Sequence, residues 1–561
     1  MDSAIVRAAG RESPAILSFR RFALVLLGFV ALPPLLLAAF VIAIDPYYVF
    51  GSPSWRGINV VRPYYETNIF SAKLNQVRRI QPAAVALGSS RAEVGLDPRH
   101  PGWADLRTFN FGLPGSTSYE VMLAFLHAQA AGQPLKQAVV GLDFFGFNIF
   151  FPRSRTQQEA PFGRNATRAF ADFLTEELTR RPRSAGIATS ADHDTATATS
   201  ARDNGAQAGA QARHFMLAAP EGERDDSTPP RDWNEIGYIA ANPEARIEIA
   251  LGAFPNGYLH YVAIGRDLGF LGGLPPADAF EALRMWQPRL SSALLDVDKM
   301  VRLVFSRETL KASILTVLRQ STMPAPFDDV GVRLFPGQED VLRRLGGTGN
   351  LIRSSLSSGA WGPWLNVPRF MYCFTNADTG MTTFDAFRFM LRRAYAEGTD
   401  LRMFVTPVHA VVRVLQQGLG IGERYEFWLK ELVRINEEEA ALAGKPPLPL
   451  WDFSDPNTIT REPVPPSGDL APMRWFWEHS HYRKVTGDLV LDRVLGYSER
   501  ARQLPADFGV RLTGANVDAH IARARSELAA WASANDDLVS PIVRAARSLK
   551  TLNRQGEATC W

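Results

Sequence analysis

The feature that most constrains the fold is a short apolar strand that ends at a glycine turn and leads towards a helix, and that recurs along the chain. The first apolar stretch, residues 83–87, ends in Gly-Ser-Ser-Arg at 88–91. A second stretch, 108–111, ends in Gly-Leu-Pro-Gly at 112–115, and a third covers 138–143. Strands and helices alternating at this spacing are typical of parallel βαβ units. The sequence therefore predicts an α/β fold with a doubly wound, mainly parallel sheet.

The same alternation resumes much later in the chain. It predicts a helix at 382–397, a strand at 401–405, a helix at 425–442, a strand at 449–453 and a helix at 484–495. Thr117–Glu120 and Thr382–Asp385 have the spacing of capping boxes at helix starts. A chain of 561 residues is too long for one compact core and should contain more than one structural region. We assign the α/β domain to 60–150 and 395–497, where the alternating pattern occurs.

The segment between these two parts, 151–394, is predicted to be a long, mainly helical insertion. Its low-complexity part, 180–230, has the composition of a disordered external loop. Helical patterns follow at 278–286, 294–305, 309–318 and 338–345. The insertion covers either the sheet edge or the site, and a packing role and a substrate lid both stay open. Residues 498–561 are predicted to be a C-terminal helical extension packed outside the sheet.

The N-terminal region contains one uncharged apolar run, residues 22–44, interrupted only by Pro33-Pro34. Its length suits a single transmembrane helix, which the two prolines should kink. The arginines before the run predict that residues 1–21 are a cytoplasmic tail and that the main domain is extracytoplasmic, at the inner membrane of a bacterial cell. A cleaved signal peptide is the alternative, but its apolar core is normally shorter.

Polar groups follow each of the first three strands. Ser90, the amide of Gly115 and Asp143 should meet at one edge of the sheet, because the carboxyl ends of parallel strands lie together. A serine raised on a strand-to-helix turn is a candidate nucleophile. The alternative is that Ser90 is a helix N-cap, since Ser90 and Glu93 have the spacing of a capping box.

Four motifs occur in a fixed order: Gly-x-Ser at 88–90, Asn-x-Gly-x-x-Gly at 110–115, Gly-x-Asp at 141–143 and Glu-x-x-His at 478–481. In this order the chain resembles the SGNH (GDSL-like) hydrolase superfamily over 60–150 and 395–497. With its N-terminal anchor it looks most like the membrane-anchored acyl-transfer proteins of alginate O-acetylation and teichoic-acid D-alanylation.

The resemblance implies a role for each motif. Ser90 would be the nucleophile, His481 the general base and Glu478 the residue that orients His481, while the amides of Ser90 and Gly115 would bind the oxyanion. It implies an acyl transferase or esterase, with acetyl as the expected group, acting on a cell-surface glycan without a cofactor. It also implies a possible integral membrane protein as acyl donor. Aromatic glycan contacts are expected from Trp475, Trp477 and Tyr482.

One position departs from the superfamily in a way that bears on activity. Asp143 stands where a hydrolase of this kind has an oxyanion-binding asparagine, and a carboxylate opposes a developing negative charge. Arg91 could neutralise Asp143 or bind an anionic substrate, and Asn148 is another conceivable donor. The departure leaves a second function open, a catalytically impaired scaffold or glycan-binding protein of the same fold.

Other residues have competing interpretations. His409 follows a predicted strand and could contact substrate or serve the structure, and Asp452 is a rival to Glu478 as the partner of His481. Glu478, His479 and His481 could instead bind zinc, although triad chemistry is preferred and no metal is expected. The formal net charge of +3 excludes a general nucleic-acid-binding field. The two cysteines, Cys373 and Cys560, allow at most one optional disulfide.

Overall fold

The core of the fold is one six-stranded sheet with the strand order β2-β1-β3-β4-β5-β6. The strands are β1 Ala84–Leu87, β2 Thr108–Asn110, β3 Gln137–Leu142, β4 Asp400–Val405, β5 Leu450–Asp452 and β6 Val510–Arg511. The first five strands are parallel, and β6 adds an antiparallel edge strand. The chain leaves β1 for β2 on one side and then crosses to β3 on the other, as in doubly wound sheets. The predicted α/β class with a mainly parallel sheet is thus confirmed.

The computed structural model describes residues 14–131, 134–149, 151, 300–320, 325–335, 337–357, 372–375, 382–498 and 502–551. All of them belong to one unit of the chain, and the second unit, 167–291 with 378–381, lies outside the described residues. The predictions for 180–230, for 278–286 and for residues before 300 in the helix at 294–305 therefore also lie outside them. Cys373 is buried, whereas Cys560 lies outside the described residues.

Thirteen α-helices have bounds within the described residues. They are α1 Pro14–Ile44, α2 Ile69–Ile80, α3 Ser90–Gly95, α4 Ser118–Gln129, α5 Arg307–Leu318, α6 Gln338–Arg344, α7 Thr348–Ser357, α8 Phe384–Glu397, α9 Ala410–Gly418, α10 Gly422–Ala443, α11 Lys484–Leu495, α12 Val517–Ala534 and α13 Asp536–Thr551.

The helices cover both faces of the sheet. Side chains alternate along a strand, so Ala84 and Ala86 of β1 face a core shared with α3, α9, α11 and α13. On the other side α4 packs against α8, and α8 packs against α10. The Thr117–Glu120 capping box is present at the start of α4. Of the box expected at Thr382, one bond is present, from the Thr382 amide to Asp385 Oδ2 at 2.9 Å, although α8 begins at Phe384 with Thr383 as its N-cap.

The first helix, α1, contains one stretch, Val25–Ile44, that is long and apolar enough to span a membrane. It continues through Pro33 and Pro34 without a break in helical assignment. Its end is tightly bonded to the domain, since Asp45 accepts backbone hydrogen bonds from Val49, Phe50, Gly51 and Ser52. The apolar helix therefore leads directly into folded structure.

The last part of the insertion covers the β2 edge of the sheet. The amide of Asn110 donates to the carbonyl of Val330 at 2.8 Å, and the amide of Arg333 donates to the carbonyl of Glu93 at 3.0 Å. A Cβ at Gly331 would lie 2.5 Å from the Asn110 carbonyl oxygen, so this strand edge and the segment are in backbone contact. Beyond this contact, Phe335 lies against His481 and Glu339 lies 3.4 Å from Arg483, at the carboxyl edge of the sheet where the candidate site lies.

Candidate active site

Ser90 is the first residue of α3, just beyond the carboxyl end of β1. The cap of this helix is Ser89, whose Oγ accepts a hydrogen bond from the Arg91 amide at 3.2 Å. The interpretation of Ser90 as the N-cap is therefore wrong, because the cap lies one residue earlier. The Ser90 Oγ instead lies 2.9 Å from Nε2 of His481.

Glu478 binds His481 on the other side of its ring. The distance from His481 Nδ1 to Glu478 Oε1 is 2.6 Å, and the amides of His481 and Ser480 donate to the same carboxylate at 2.7 and 3.0 Å. Burial alone would raise the pKa of Glu478, but the charges and hydrogen bonds of His479 and His481 lower it well below its ordinary value. An ionised Glu478 places the ring proton on Nδ1, which leaves Nε2 as the acceptor for the Ser90 hydroxyl.

A contact between two helices brings His481 to Ser90. A Cβ at Gly487 in α11 would lie 1.7 Å from the carbonyl oxygen of Gly95 in α3, so the two backbones touch. Beside this contact, a Cβ at Gly95 would lie 1.9 Å from Cε2 of the buried Tyr482. Because α3 begins at Ser90 and α11 begins three residues after His481, the separation of these helices sets the separation of the two side chains.

The glycine turn after β2 lies beside the turn that carries Ser90. The Leu113 amide and the Ser116 hydroxyl donate to the Gly88 carbonyl at 2.8 and 3.1 Å. Gly115 has a φ of 64°, in the left-handed region that glycine tolerates. Within the described part of the chain the amides of Ser90 and Gly115 donate no hydrogen bond. Two such amides on adjacent turns are suited to binding an oxyanion.

Asp143 forms a buried ion pair with Arg91. The Arg91 Nη1 lies 2.5 Å from Asp143 Oδ1, which also accepts a hydrogen bond from the Thr406 hydroxyl at 2.5 Å. The same guanidinium donates to Ser480, from Nε to its carbonyl at 3.1 Å and from Nη2 to its Oγ at 3.0 Å. Arg91 therefore connects the helix of Ser90, the end of β3 and the loop that carries His481.

This pair decides between the two roles considered for Arg91. The side chain is buried and directed at Asp143, so it compensates the carboxylate and is not placed to bind a substrate anion. The positive charge of Arg91 therefore offsets the charge of Asp143 beside the two amides suited to an oxyanion. The argument that Asp143 would oppose the negative charge of the oxyanion is correspondingly weaker.

His409 has a structural role. It is fully buried at the start of α9, where its Nδ1 accepts a hydrogen bond from the Val411 amide at 3.3 Å. Its Nε2 lies 2.7 Å from the Glu462 carbonyl, and burial lowers the pKa of His409 to about 4. The imidazole is thus neutral and enclosed, which favours the structural role over the substrate contact for His409.

Three more residues have partners away from the triad. Asn148 is buried, and its Oδ1 accepts a hydrogen bond from the Cys373 amide at 3.1 Å, which binds the insertion to the end of β3. Asp452 lies 2.8 Å from Nε2 of His520, so it is not the partner of His481. Tyr482 is fully buried and cannot contact a glycan.

Aromatic rings border the exposed side of the site. Phe335, from the insertion, lies edge-on to Trp477 and His481, with ring centroids 5.6 and 6.4 Å away. The guanidinium of Arg483 lies 3.9 Å above the Trp477 ring. Phe335, Trp477 and His481 are each half-buried, so a ligand can reach the two aromatic rings and the imidazole.

Three residues of the site were missed in the sequence. Thr406 directly follows β4 and could have been found by the rule used for Ser90, since it lies at the same edge of the sheet. Ser480 lies inside the Glu-x-x-His motif, but nothing in its spacing indicates a bond to Arg91. Phe335 carries no sequence signal, because only the tertiary fold brings the insertion to the triad.

The zinc interpretation of the same loop finds no support in its geometry. Nδ1 of His479 and Nδ1 of His481 both lie against Glu478, at 3.0 and 2.6 Å, as ion-pair partners. Among the residues that the structure describes, no three histidine, cysteine or acidic side chains are grouped so that they could hold a metal ion.

The fold and these contacts define an α/β protein with a hydrogen-bonded serine–histidine–glutamate series at the carboxyl edge of its sheet. Comparison with protein-family models, with curated proteins and with solved structures finds no match for this chain.

Proposed function

We propose that this protein is a membrane-anchored, extracytoplasmic SGNH-like acyl transferase or esterase that acts on a cell-surface glycan, with acetyl as the expected group. The observation that carries the proposal is the continuous series from Ser90 Oγ to His481 Nε2, at 2.9 Å, and from His481 Nδ1 to Glu478 Oε1, at 2.6 Å. Both distances suit proton transfer and orientation of the base.

The proposed reaction proceeds in two halves. As Ser90 Oγ attacks the ester carbonyl, its proton passes to His481 Nε2, and Glu478 stabilises the imidazolium. The amides of Ser90 and Gly115 bind the tetrahedral oxyanion. His481 then returns the proton to the departing alcohol, and an acyl-serine remains. A sugar hydroxyl or water, deprotonated by His481, attacks that ester and releases Ser90.

The scaffold alternative depended on the charge of Asp143. With Arg91 at 2.5 Å and the Thr406 hydroxyl on the same oxygen, this carboxylate is compensated within the fold. The catalytic proposal is therefore favoured over the impaired scaffold. Phe335 and Trp477, which are half-buried beside His481, support a carbohydrate substrate, because aromatic rings at a site are suited to packing against sugar rings.

The anchor is proposed to be uncleaved, with residues 1–21 in the cytoplasm. The amide nitrogen of Asn59 donates to the carbonyls of Ala43 and Ile44, at 3.1 and 3.2 Å, and the Ser52 hydroxyl donates to the Ile42 carbonyl. Signal-peptide cleavage after Ala43 would remove groups that the folded domain binds. The integral membrane acyl donor remains a proposal from the resemblance.

The test is turnover of a chromogenic acetyl ester by the full chain in detergent, with mass spectrometry of the acylated protein. We expect turnover that is lost in Ser90→Ala, and an acetyl group on Ser90 in the wild type. The matched control is Ser540→Ala, a serine on α13 whose hydroxyl donates to Asp536. Absence of both turnover and acyl-serine, or full activity in Ser90→Ala, would refute the mechanism.

A further inference from the structure

The end of α1 is joined to the folded domain without a linker. Asn59 donates to the carbonyl of Ile44, and the Arg62 guanidinium donates to the carbonyl of Asp45 at 3.1 Å. The segment between them is held to the turn that follows α5, since Gln320 exchanges two hydrogen bonds with the backbone of Val61, at 2.9 and 2.6 Å. Helix α5 itself packs against α1.

Large apolar side chains are exposed around this junction. They are Trp55 at 42%, Ile58 at 40% and Val60 at 52% in the loop after α1, and Ile314 at 44% and Leu318 at 70% on α5. We call these five residues the junction patch. Gln320, which binds Val61, comes two residues after Leu318, so the end of α5 lies beside Val60. Ile314 and Leu318 are one helical turn apart on the same side of α5.

The position of the patch along α1 indicates what covers it. The 20 apolar residues Val25–Ile44, at about 1.5 Å each, give a length of about 30 Å, which equals the hydrocarbon thickness of a bilayer. If α1 spans a membrane, Ile44 lies at the boundary of the hydrocarbon core. Ile58 and Val60 flank the residue that binds the Ile44 carbonyl, so they lie at the same depth.

The charges around the patch suit a phospholipid surface. Arg56 is exposed between Trp55 and Ile58, and Lys311 is exposed one turn before Ile314 on α5. Apolar side chains interleaved with basic ones are typical of segments that lie in the interfacial plane of a bilayer.

We infer that the domain rests on the outer leaflet of the bilayer through the junction patch, in addition to its anchor α1. The domain is then held in one orientation and does not swing freely above the membrane. This inference rests on the proposed spanning of α1. The domain would then contact the membrane through the junction patch as well as through α1. The candidate site would be held at a constant height and angle relative to a membrane-bound donor.

The experiment uses the full chain in vesicles of phosphatidylethanolamine and phosphatidylglycerol, with a spin-labelled amino acid introduced by codon suppression. Labels are placed singly at positions 60 and 318 of the patch. Position 30, in the middle of α1, is the lipid reference, and Leu442, which is 73% exposed on α10, is the solvent reference. The ratio of collision with oxygen to collision with a water-soluble nickel chelate reports lipid exposure.

We expect the ratios at 60 and 318 to be shifted from the value at 442 towards the value at 30. Ratios equal to that at 442, with position 30 in lipid, would overturn the inference and leave the anchor intact. A label at 30 that is exposed to water would overturn both. Shielding of 60 and 318 from both reagents would show a protein partner there and would also overturn the inference. Two independent sites protect the test against one misfolded variant.

Discussion

The ion pair of Arg91 and Asp143 is the most informative target for mutation. Both side chains are buried, 2.5 Å apart, and Arg91 also binds Ser480 in the loop of His481. Removal of one partner leaves an uncompensated buried charge, which typically costs about 3–5 kcal/mol in the free energy of unfolding. Replacement of both partners by neutral groups of similar volume costs much less. We therefore expect Arg91→Met and Asp143→Asn each to destabilise strongly, and the double variant to recover most of the loss.

A double-mutant cycle measures this coupling. The free energy of unfolding is obtained from denaturant titration of the wild type, both single variants and the double variant. We expect a coupling energy of about 5 kcal/mol or more, because each single variant loses about 3–5 kcal/mol and the double variant loses much less. Activity should fall most in Arg91→Met, by about 100-fold or more, because the uncompensated charge of Asp143 then opposes the oxyanion, an effect comparable to the loss of an oxyanion donor.

The control pair is Arg393 and Glu397 on α8, an exposed i,i+4 pair at 2.7 Å. Glu397→Gln should change stability by about 0.3–0.5 kcal/mol and leave activity unchanged. If Arg91→Met and Asp143→Asn were additive within about 0.5 kcal/mol, the pair would not act as a unit, and charge compensation of Asp143 would be refuted.

Three further predictions concern packing and pH. Gly487→Ala should destabilise the protein by about 1–3 kcal/mol and lower activity, because its Cβ would lie 1.7 Å from the Gly95 carbonyl; denaturation and ester turnover check this. The pKa of Glu478 is lower in the folded protein than its ordinary value of 4.5, so the ionised carboxylate stabilises the fold above pH 4.5. This stabilisation is lost as the pH falls below 4.5, and Glu478→Gln should make the free energy of unfolding less dependent on pH in that range. Burial raises the pKa of Asp455 from 3.8 to about 7, so stability should fall by a few kcal/mol as pH rises through that window, and Asp455→Asn should remove the dependence.

Each of these predictions has a matched outcome that would contradict it. Gly422→Ala, where the nearest atom to the added Cβ is 3.3 Å away in the Gln417 side chain, should be mild. If Gly487→Ala were equally mild, backbone contact would not set the position of His481. If the free energy of unfolding of Glu478→Gln or Asp455→Asn depended on pH as that of the wild type does, the carboxyl group concerned would not have the shifted pKa on which the prediction depends.

The sequence by itself determined the elements and their order. Mainly apolar runs of four to six residues predicted β1, β2 and β3, because a strand buried on both faces needs mostly apolar side chains. The first two runs end at a glycine turn and the third at Asp143. The order of Ser90, Gly115 and Asp143 after successive strands followed from the same local pattern. The apolar composition of residues 22–44 likewise determined that the N-terminal helix is suited to a membrane.

Only the tertiary structure decided which polar groups meet. Arg91 and Asp143 are 52 positions apart and Ser90 and His481 are 391 apart, and no local pattern states that they are in contact. The closeness of α3 and α11 depends on two glycines whose missing side chains have meaning only when the helices are packed. His409 follows a strand and Asp452 ends one, at the same edge of the sheet as Ser90, but burial and different partners give them structural roles. Contacts of this kind depend on packing in three dimensions, and a linear pattern does not contain that information.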